Sequence, residues 1–157
     1  MSQQPKLYVL VGVPGSGKST WVSAQDWAKD CAYVSTDKYV EEYAKHAGKT
    51  YSEVFNLVMT DAVAAMVDSV TLASSMKQNI IWDQTSTTVL TRAKKINMLS
   101  SYYKIAVVFR TPEKAELERR LKSRPGKEIP DEVVASMIAN WVEPTLEEGF
   151  DEIWYAS

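Results

Sequence analysis

The feature that most constrains this chain is a short apolar run, Leu7-Tyr8-Val9-Leu10-Val11, that breaks into Gly12-Val13-Pro14-Gly15-Ser16-Gly17-Lys18-Ser19. The second segment satisfies the pattern G-x-x-x-x-G-K-[ST]. The run before it has strand character, and the residues after it can be helical. Glycine adopts backbone angles that a Cβ resists, so successive N–H groups can converge on one anion. The positive end of a helix starting near Lys18 adds to the same point. Lys18 is expected to reach the β- and γ-phosphates and Ser19 to ligate Mg²⁺. Gly12, Val13, Pro14, Gly15, Ser16, Gly17, Lys18, Ser19 and Thr20 are therefore the expected ATP-binding loop, with ATP and Mg²⁺ as ligands. A glycine-rich turn that binds nothing is the bland alternative. The complete set of Gly12, Gly17, Lys18 and Ser19 behind a strand argues against it.

The rest of the chain alternates in the same way. Strand signals lie at 6–11, 32–36, 79–83, 104–110 and 152–156, each short and rich in Val, Ile, Tyr or Trp, as in a buried parallel sheet. Helices are predicted from Gly17 to about Lys29, over 38–47 with a stop near Gly48, and from Tyr51 to Met76 behind the capping-box pattern Thr50-Tyr51-Ser52-Glu53. Val54, Leu57, Val58, Asp61, Ala62, Ala65, Met66, Ser69 and Ala73 form the expected core stripe of that long helix. Another helix runs from Thr88 to Ser101. Thr111-Pro112 reads as N-cap and first position of the next, and the last starts near Pro130-Asp131 and stops before Pro144. The order β-α-β-α-α-β-α-β-α-α-β predicts a single α/β domain over 1–157. Its five-stranded parallel sheet would carry helices on both faces, with ligands beyond the carboxyl ends of the strands. Those ends carry the loop, Ser35-Thr36-Asp37, Asp83-Gln84-Thr85 and Arg110-Thr111.

Composition sets limits. A chain of 157 residues buries enough surface to fold without a disulfide or metal staple, and Cys31 is its only cysteine. The polar start Met1-Ser2-Gln3-Gln4-Pro5-Lys6 has no signal pattern, and no apolar stretch reads as long enough for a membrane span. A cytoplasmic protein without a membrane partner is expected. A net charge of −2 argues mildly against extended nucleic-acid binding, though not against contact with a few phosphates at one strand end.

Asp37 is the candidate general base: a carboxylate past the second strand could take a proton from an acceptor hydroxyl and orient it for attack. It could equally cap the following helix, and the two roles can coexist. Asp83 closes Asn79-Ile80-Ile81-Trp82, a Walker B-like strand, and could hold Mg²⁺ directly, hold it through water, or bind the acceptor. The next residue is Gln84 where many motion-driving ATPases place a catalytic Glu, which favours a kinase. Arg120 and Arg124, four apart in Glu116-Leu117-Glu118-Arg119-Arg120-Leu121-Lys122-Ser123-Arg124, could share a helix face and clamp a transferring phosphoryl group. The Pro125-Gly126-Lys127 break would let that segment move as a lid. The plainer reading is a solvated face pairing with Glu116 and Glu118. His46 is the only histidine, so histidine metal clusters are ruled out, and the tryptophans read as packing residues.

Taken together, Gly12 to Trp21, Thr36-Asp37-Lys38-Tyr39, Asp83, Arg120, Arg124 and the stretch from Ser123 to Met137 resemble the kinase domain of phage 5′-polynucleotide kinase and related small P-loop kinases. The resemblance covers nearly the whole chain. It implies that Asp37 is the catalytic aspartate and Asp83 an acceptor-site aspartate. It also implies that Arg120 and Arg124 are lid arginines on the nucleotide phosphates, in a lid of about 118–130, and that Ile129 packs on the acceptor base. Val40 departs from the pattern, standing where the family places an arginine that grips an acceptor phosphate, with Glu41 and Glu42 behind it.

The expected activity is ATP-dependent transfer of a γ-phosphoryl group to a hydroxyl of a nucleic acid, first the 5′-hydroxyl of DNA or RNA, in a phage-infected host's cytoplasm if the chain is phage-encoded. The alternatives are a hydroxymethylated base in DNA, a nucleoside or nucleotide as acceptor, and an ATPase or nucleotide switch. The absence of an N-K-x-D motif argues against a GTPase.

Overall fold

A computed structural model of the chain describes residues 4–156; the ends of the expected domain, 1–3 and 157, lie outside the described residues. Five strands, β1 (Lys6–Val11), β2 (Ala32–Val34), β3 (Ile80–Trp82), β4 (Tyr103–Val108) and β5 (Glu152–Tyr155), form one parallel sheet in the order β2-β3-β1-β4-β5. β1 and β4 are almost wholly buried, which is why they read as continuous apolar runs. Both faces are covered, as predicted. Leu7, Val9, Val11, Ile80 and Trp82 face the helices α3 (Tyr51–Ser75) and α4 (Val89–Met98). Tyr8, Leu10, Ile81, Ile105 and Val107 face α1 (Lys18–Ser23) and the 3₁₀ turn Asp26–Asp30. The remaining helices are α2 (Thr36–Ala47), α5 (Lys114–Lys122) and α6 (Asp131–Ala139).

The helix predicted over 17–29 is broken. On a continuous helix Trp21 and Trp27 would point roughly 120° apart. The break after Ser23 lets both join one aromatic cluster on the sheet, Trp27 against Tyr8 at 4.5 Å and Trp21 against Phe109 at 5.7 Å between centroids. The helix expected to open at Thr111-Pro112 begins instead at Lys114, with Glu113 as N-cap. Sheet bonding runs past β4, from Phe109 N–H to the Val11 carbonyl at 2.8 Å. The chain stays extended over the loop until Leu117 can pack beside Val13 and Gly15.

α3 behaves as a strut. Thr50 and Glu53 form the expected capping box. Val54, Val58 and Ala62 pack against Val40 and Ala44 of α2, while Met66, Val70 and Ala73 pack on the sheet. Leu57, expected in the stripe, is 69% exposed, and Asp61 and Ser69 are exposed too. The expectation of no span-length apolar stretch also needs correction: α3 is long and apolar enough to cross a membrane by length and composition. Its buried stripe is committed to α2 and the sheet.

Candidate active site

The loop after β1 is curled tightly. Gly15 lies at φ 82°, and a Cβ there would stand 3.0 Å from Leu117 Cδ1, so the loop and α5 meet through this residue. The Gly12 N–H donates to the Thr85 carbonyl at 2.9 Å, tying the loop to the segment after β3. Lys18 folds over the loop and donates from Nζ to the carbonyls of Gly12 (2.9 Å) and Val13 (3.0 Å). Burial pushes its ammonium down to about 8, against the charges of Asp83 and Asp37, which raise it. The Ser16 hydroxyl is buried without a hydrogen-bond partner among the described residues.

Beside this loop lies an open cleft of about 580 Å³, whose walls include Gly17, Thr20, Trp21, Arg120 and Arg124. Arg120 donates through Nη1 to the Gly15 carbonyl at 3.1 Å and through Nε to Glu116 at 2.9 Å. The expected shared helix face is corrected: α5 ends at Lys122, and Arg124 reaches the cleft from the turn beyond it. The plainer reading holds for Arg119, which is exposed and paired with Glu116 at 2.6 Å. Arg110 and Thr111, at the end of the fourth strand, line a separate cleft of about 550 Å³ with Trp141 and Tyr155.

Asp83 and Asp37 stand at the ends of β3 and β2, so the edge runs from the loop through Asp83 to Asp37 in strand order β1, β3, β2. Two strand spacings make that roughly 10 Å. Asp83 is 8% exposed and accepts a hydrogen bond from the Tyr33 hydroxyl. Burial raises its carboxyl above the ordinary aspartate value, against the Tyr33 bond and the charge of Lys18. Asp37 is not the N-cap of α2; that position is Ser35, and Asp37 lies in the first turn. Its Oδ1 accepts from the Tyr51 hydroxyl at 2.6 Å, and its Oδ2 from Lys127 Nζ at 3.0 Å. Burial works to raise this carboxyl too, but the Tyr51 bond and the Lys127 ammonium outweigh it and hold it below the usual value. The two carboxylates are thus pushed apart, the pattern by which neighbouring acids take different roles.

Tyr33, Tyr51 and Lys127 are site residues that sequence reasoning missed. Nothing marks the tyrosines in the sequence; the Pro125-Gly126 turn before Lys127 was the one available signal. Val40, in the place of the resembled family's arginine, is fully buried in the α2–α3 seam. Ile129 is half-buried against the cluster of Val13, Leu117 and Val134.

No cluster of three His, Cys, Asp or Glu residues that could cage a metal occurs among the described residues. The donor set suits Mg²⁺, which is held by one or two protein oxygens together with substrate phosphates. Ser19, in the first turn of α1, and Asp83, directly after β3, are the candidate pair. The Ser16 hydroxyl, the loop N–H groups and Lys18 suit a polyphosphate.

Residues 7–144 match the AAA domain family. The chain belongs to it. This AAA domain is 26% identical over 164 aligned residues to the mouse heterogeneous nuclear ribonucleoprotein U-like protein 2, covering 98% of the chain but only 22% of that relative's length. A candidate kinase from Chloroflexus aurantiacus superposes with a TM-score of 0.72 at 17% identity, covering 99% of this chain and 90% of that one. A chain of the Pnkp1/Rnl/Hen1 RNA repair complex superposes at 0.65 with 22% identity, covering 89% and 45%. The AAA domain here has a P-loop kinase-like fold.

A depressed lysine has a measurable consequence. Phosphate charge beside Lys18 restores its proton affinity, so nucleotide binding near pH 8 is expected to draw about half a proton onto it, and almost none near pH 6.5. Calorimetric titrations in buffers of different ionisation enthalpy, compared with Lys18→Met, measure that uptake. Equal uptake by both proteins would reassign the titrating group.

Proposed function

We propose that this protein is an ATP-dependent kinase that transfers the γ-phosphoryl group to a hydroxyl of a nucleic acid, with the 5′-hydroxyl of DNA or RNA as the leading acceptor. The observation that carries the reading is the single sheet edge on which Lys18, Asp83 and the half-exposed, ionised Asp37 follow one another in strand order. The triphosphate lies in the loop, with Arg120 and Arg124 on its flank. Mg²⁺, held by Ser19 and Asp83, supplies charge neutralisation when bound. The acceptor hydroxyl approaches Asp37, which takes its proton as the oxygen attacks the γ-phosphorus and ADP leaves. Lys18, Arg120 and Arg124 offset the charge spread over the transferring oxygens. Gln84 bridges Trp82 and Thr36 (3.1 and 3.5 Å) and leaves no carboxylate beside Asp83 to activate water, which favours transfer over hydrolysis. Ile129, half-buried against Val13, Leu117 and Val134, is the residue on which an acceptor base would pack. The likeness to a chain from an RNA repair complex supports a nucleic-acid acceptor. A cytoplasmic setting fits a chain whose lone cysteine, Cys31, is a free thiol.

The test offers γ-labelled ATP with 5′-hydroxyl DNA and RNA, DNA carrying hydroxymethylated bases, nucleosides and nucleotides. Label is expected on the 5′-hydroxyl polynucleotides. Label confined to modified bases or free nucleotides would move the acceptor to those classes, and acceptor-independent hydrolysis would leave an ATPase or switch.

A further inference from the structure

Lys127 is placed with unusual care for a lid lysine. Its turn is fastened to the first turn of α3. Gly126 lies at φ 71° against Thr50, where a Cβ would come within 2.8 Å of the Thr50 Cβ. The Ser52 N–H donates to the Gly126 carbonyl at 3.0 Å, and the Glu128 N–H donates to Ser52 Oγ at 2.8 Å. The expected mobile lid is therefore pinned at its far end. The Lys127 side chain is only 13% exposed. Its ammonium lies 3.0 Å from Asp37 Oδ2, 3.3 Å from Glu41 Oε1 and 4.5 Å from the centre of the Tyr51 ring. A lysine held by three groups differs from a surface ion pair, whose chain is free and whose energy is small.

The distribution of charge gives it a task. Lys18 is bonded to the loop carbonyls and Arg120 to Gly15, and Arg124 lines the nucleotide cleft. Around Asp37, α2 contributes Glu41 and the buried Val40, and β3 contributes Asp83. An anionic acceptor approaching Asp37 would thus meet three carboxylates, Asp37, Glu41 and Asp83, with Lys127 as the cation directly on Asp37 and with Lys18 and Arg124 farther off on the side of the loop. Tyr51 already occupies Asp37 Oδ1, so Oδ2 is where an acceptor hydroxyl can deliver its proton, and Lys127 sits on it.

Building on the kinase reading, we propose that Lys127 is the specificity-determining cation of the acceptor side, exchanging its bonds to Asp37 and Glu41 for a phosphate carried next to the acceptor hydroxyl and so uncovering Asp37. A phosphate draws the ammonium away through charge-assisted bonds; a neutral acceptor offers it no such partner and leaves Asp37 covered. The exchange moves no covalent bond. The hydroxyl proton then passes to Asp37 Oδ2 as the oxygen–phosphorus bond forms and the bond to ADP breaks.

The experiment compares kcat/KM for a nucleoside 3′-phosphate with a free 5′-hydroxyl against the same nucleoside without phosphate, in the wild type, Lys127→Met, Lys127→Arg and Glu41→Gln. The wild type is expected to prefer the phosphorylated acceptor by roughly 10- to 100-fold, the worth of one hydrogen bond to a charged group. Lys127→Met should bring the ratio close to one, Lys127→Arg should restore most of it, and Glu41→Gln, which removes a competitor for the ammonium, should raise it. A ratio unmoved in Lys127→Met that still binds nucleotide overturns the assignment while leaving the kinase reading intact. If Lys127→Met does not fold, an unchanged ratio in Glu41→Gln overturns it. Label on a 5′-hydroxyl oligonucleotide but on neither of these acceptors overturns this inference alone, and label on none of the three removes the kinase reading with it.

Discussion

Asp37→Asn is expected to lower phosphoryl transfer by roughly 10²- to 10⁴-fold, the usual contribution of a positioned base, while nucleotide binding stays as in the wild type. An amide keeps the size of the carboxylate and can still accept from Tyr51 on its oxygen, so α2 and the α3 corner should hold. It cannot take a proton from a hydroxyl. The separation of the two effects follows from the layout. Asp37 stands just past β2, two strands from the loop, and Lys18 and Arg120 make their hydrogen bonds to loop carbonyls and Glu116, not to Asp37. Single-turnover transfer from γ-labelled ATP gives the rate, and titration with a fluorescent nucleotide gives the affinity. A transfer rate near that of the wild type would remove Asp37 as the base. A parallel loss of nucleotide affinity would show that it supports the loop.

The parts of this site that could be read in the sequence are those where chemistry is local. The loop from Gly12 to Ser19 carries its own instruction, because strand, glycines, lysine and hydroxyl are contiguous. Asp37 and Asp83 could be placed on one edge because each ends a strand, and parallel topology brings strand ends together. What was not legible depends on contacts between distant segments. Lys127 and Asp37 are 90 residues apart, and Tyr33 and Asp83 are 50 apart. Only the fastening of the turn after α5 on Thr50 and Ser52 and the pairing of β2 with β3 bring them together. The four-residue spacing of Arg120 and Arg124 suggested a shared helix face, but the helix ends between them, and the cleft gathers both by a different route. Val40 carried a signal that could be misread as a gap. Its place in the α2–α3 seam shows a packing position, with the cation beside Asp37 supplied by Lys127 from the turn after α5.

Removing one member of the buried pair Arg92–Glu148 is expected to have the largest effect on stability. Arg92 in α4 is fully buried and donates through Nε and Nη2 to Glu148 at 2.8 and 3.0 Å, and through Nη1 to the Ser86 carbonyl at 3.0 Å. Glu148→Gln leaves that guanidinium buried without a counter-charge, which costs about 3–5 kcal/mol, or a fall in Tm of roughly 6–20 °C for a chain of this size. Arg92→Met together with Glu148→Gln removes the stranded charge and should recover much of the loss. The pair also bears on the nucleotide loop. Ser86, at φ 47° with its hydroxyl buried and unpartnered among the described residues, is held in an unfavourable backbone conformation. Arg92 grips its carbonyl, and the carbonyl one residue earlier, on Thr85, receives the Gly12 N–H. Loosening Arg92 should therefore reach the loop through two adjacent peptide groups. Thermal melts of the single and double variants, with and without ATP and Mg²⁺, test both parts. The double variant should regain most of the stability of the free protein yet show a smaller ATP-induced rise in Tm than the wild type, because the Ser86 carbonyl has lost its donor. A full rise would show that the loop is held by its own strand and glycines, and that the buried pair serves stability alone.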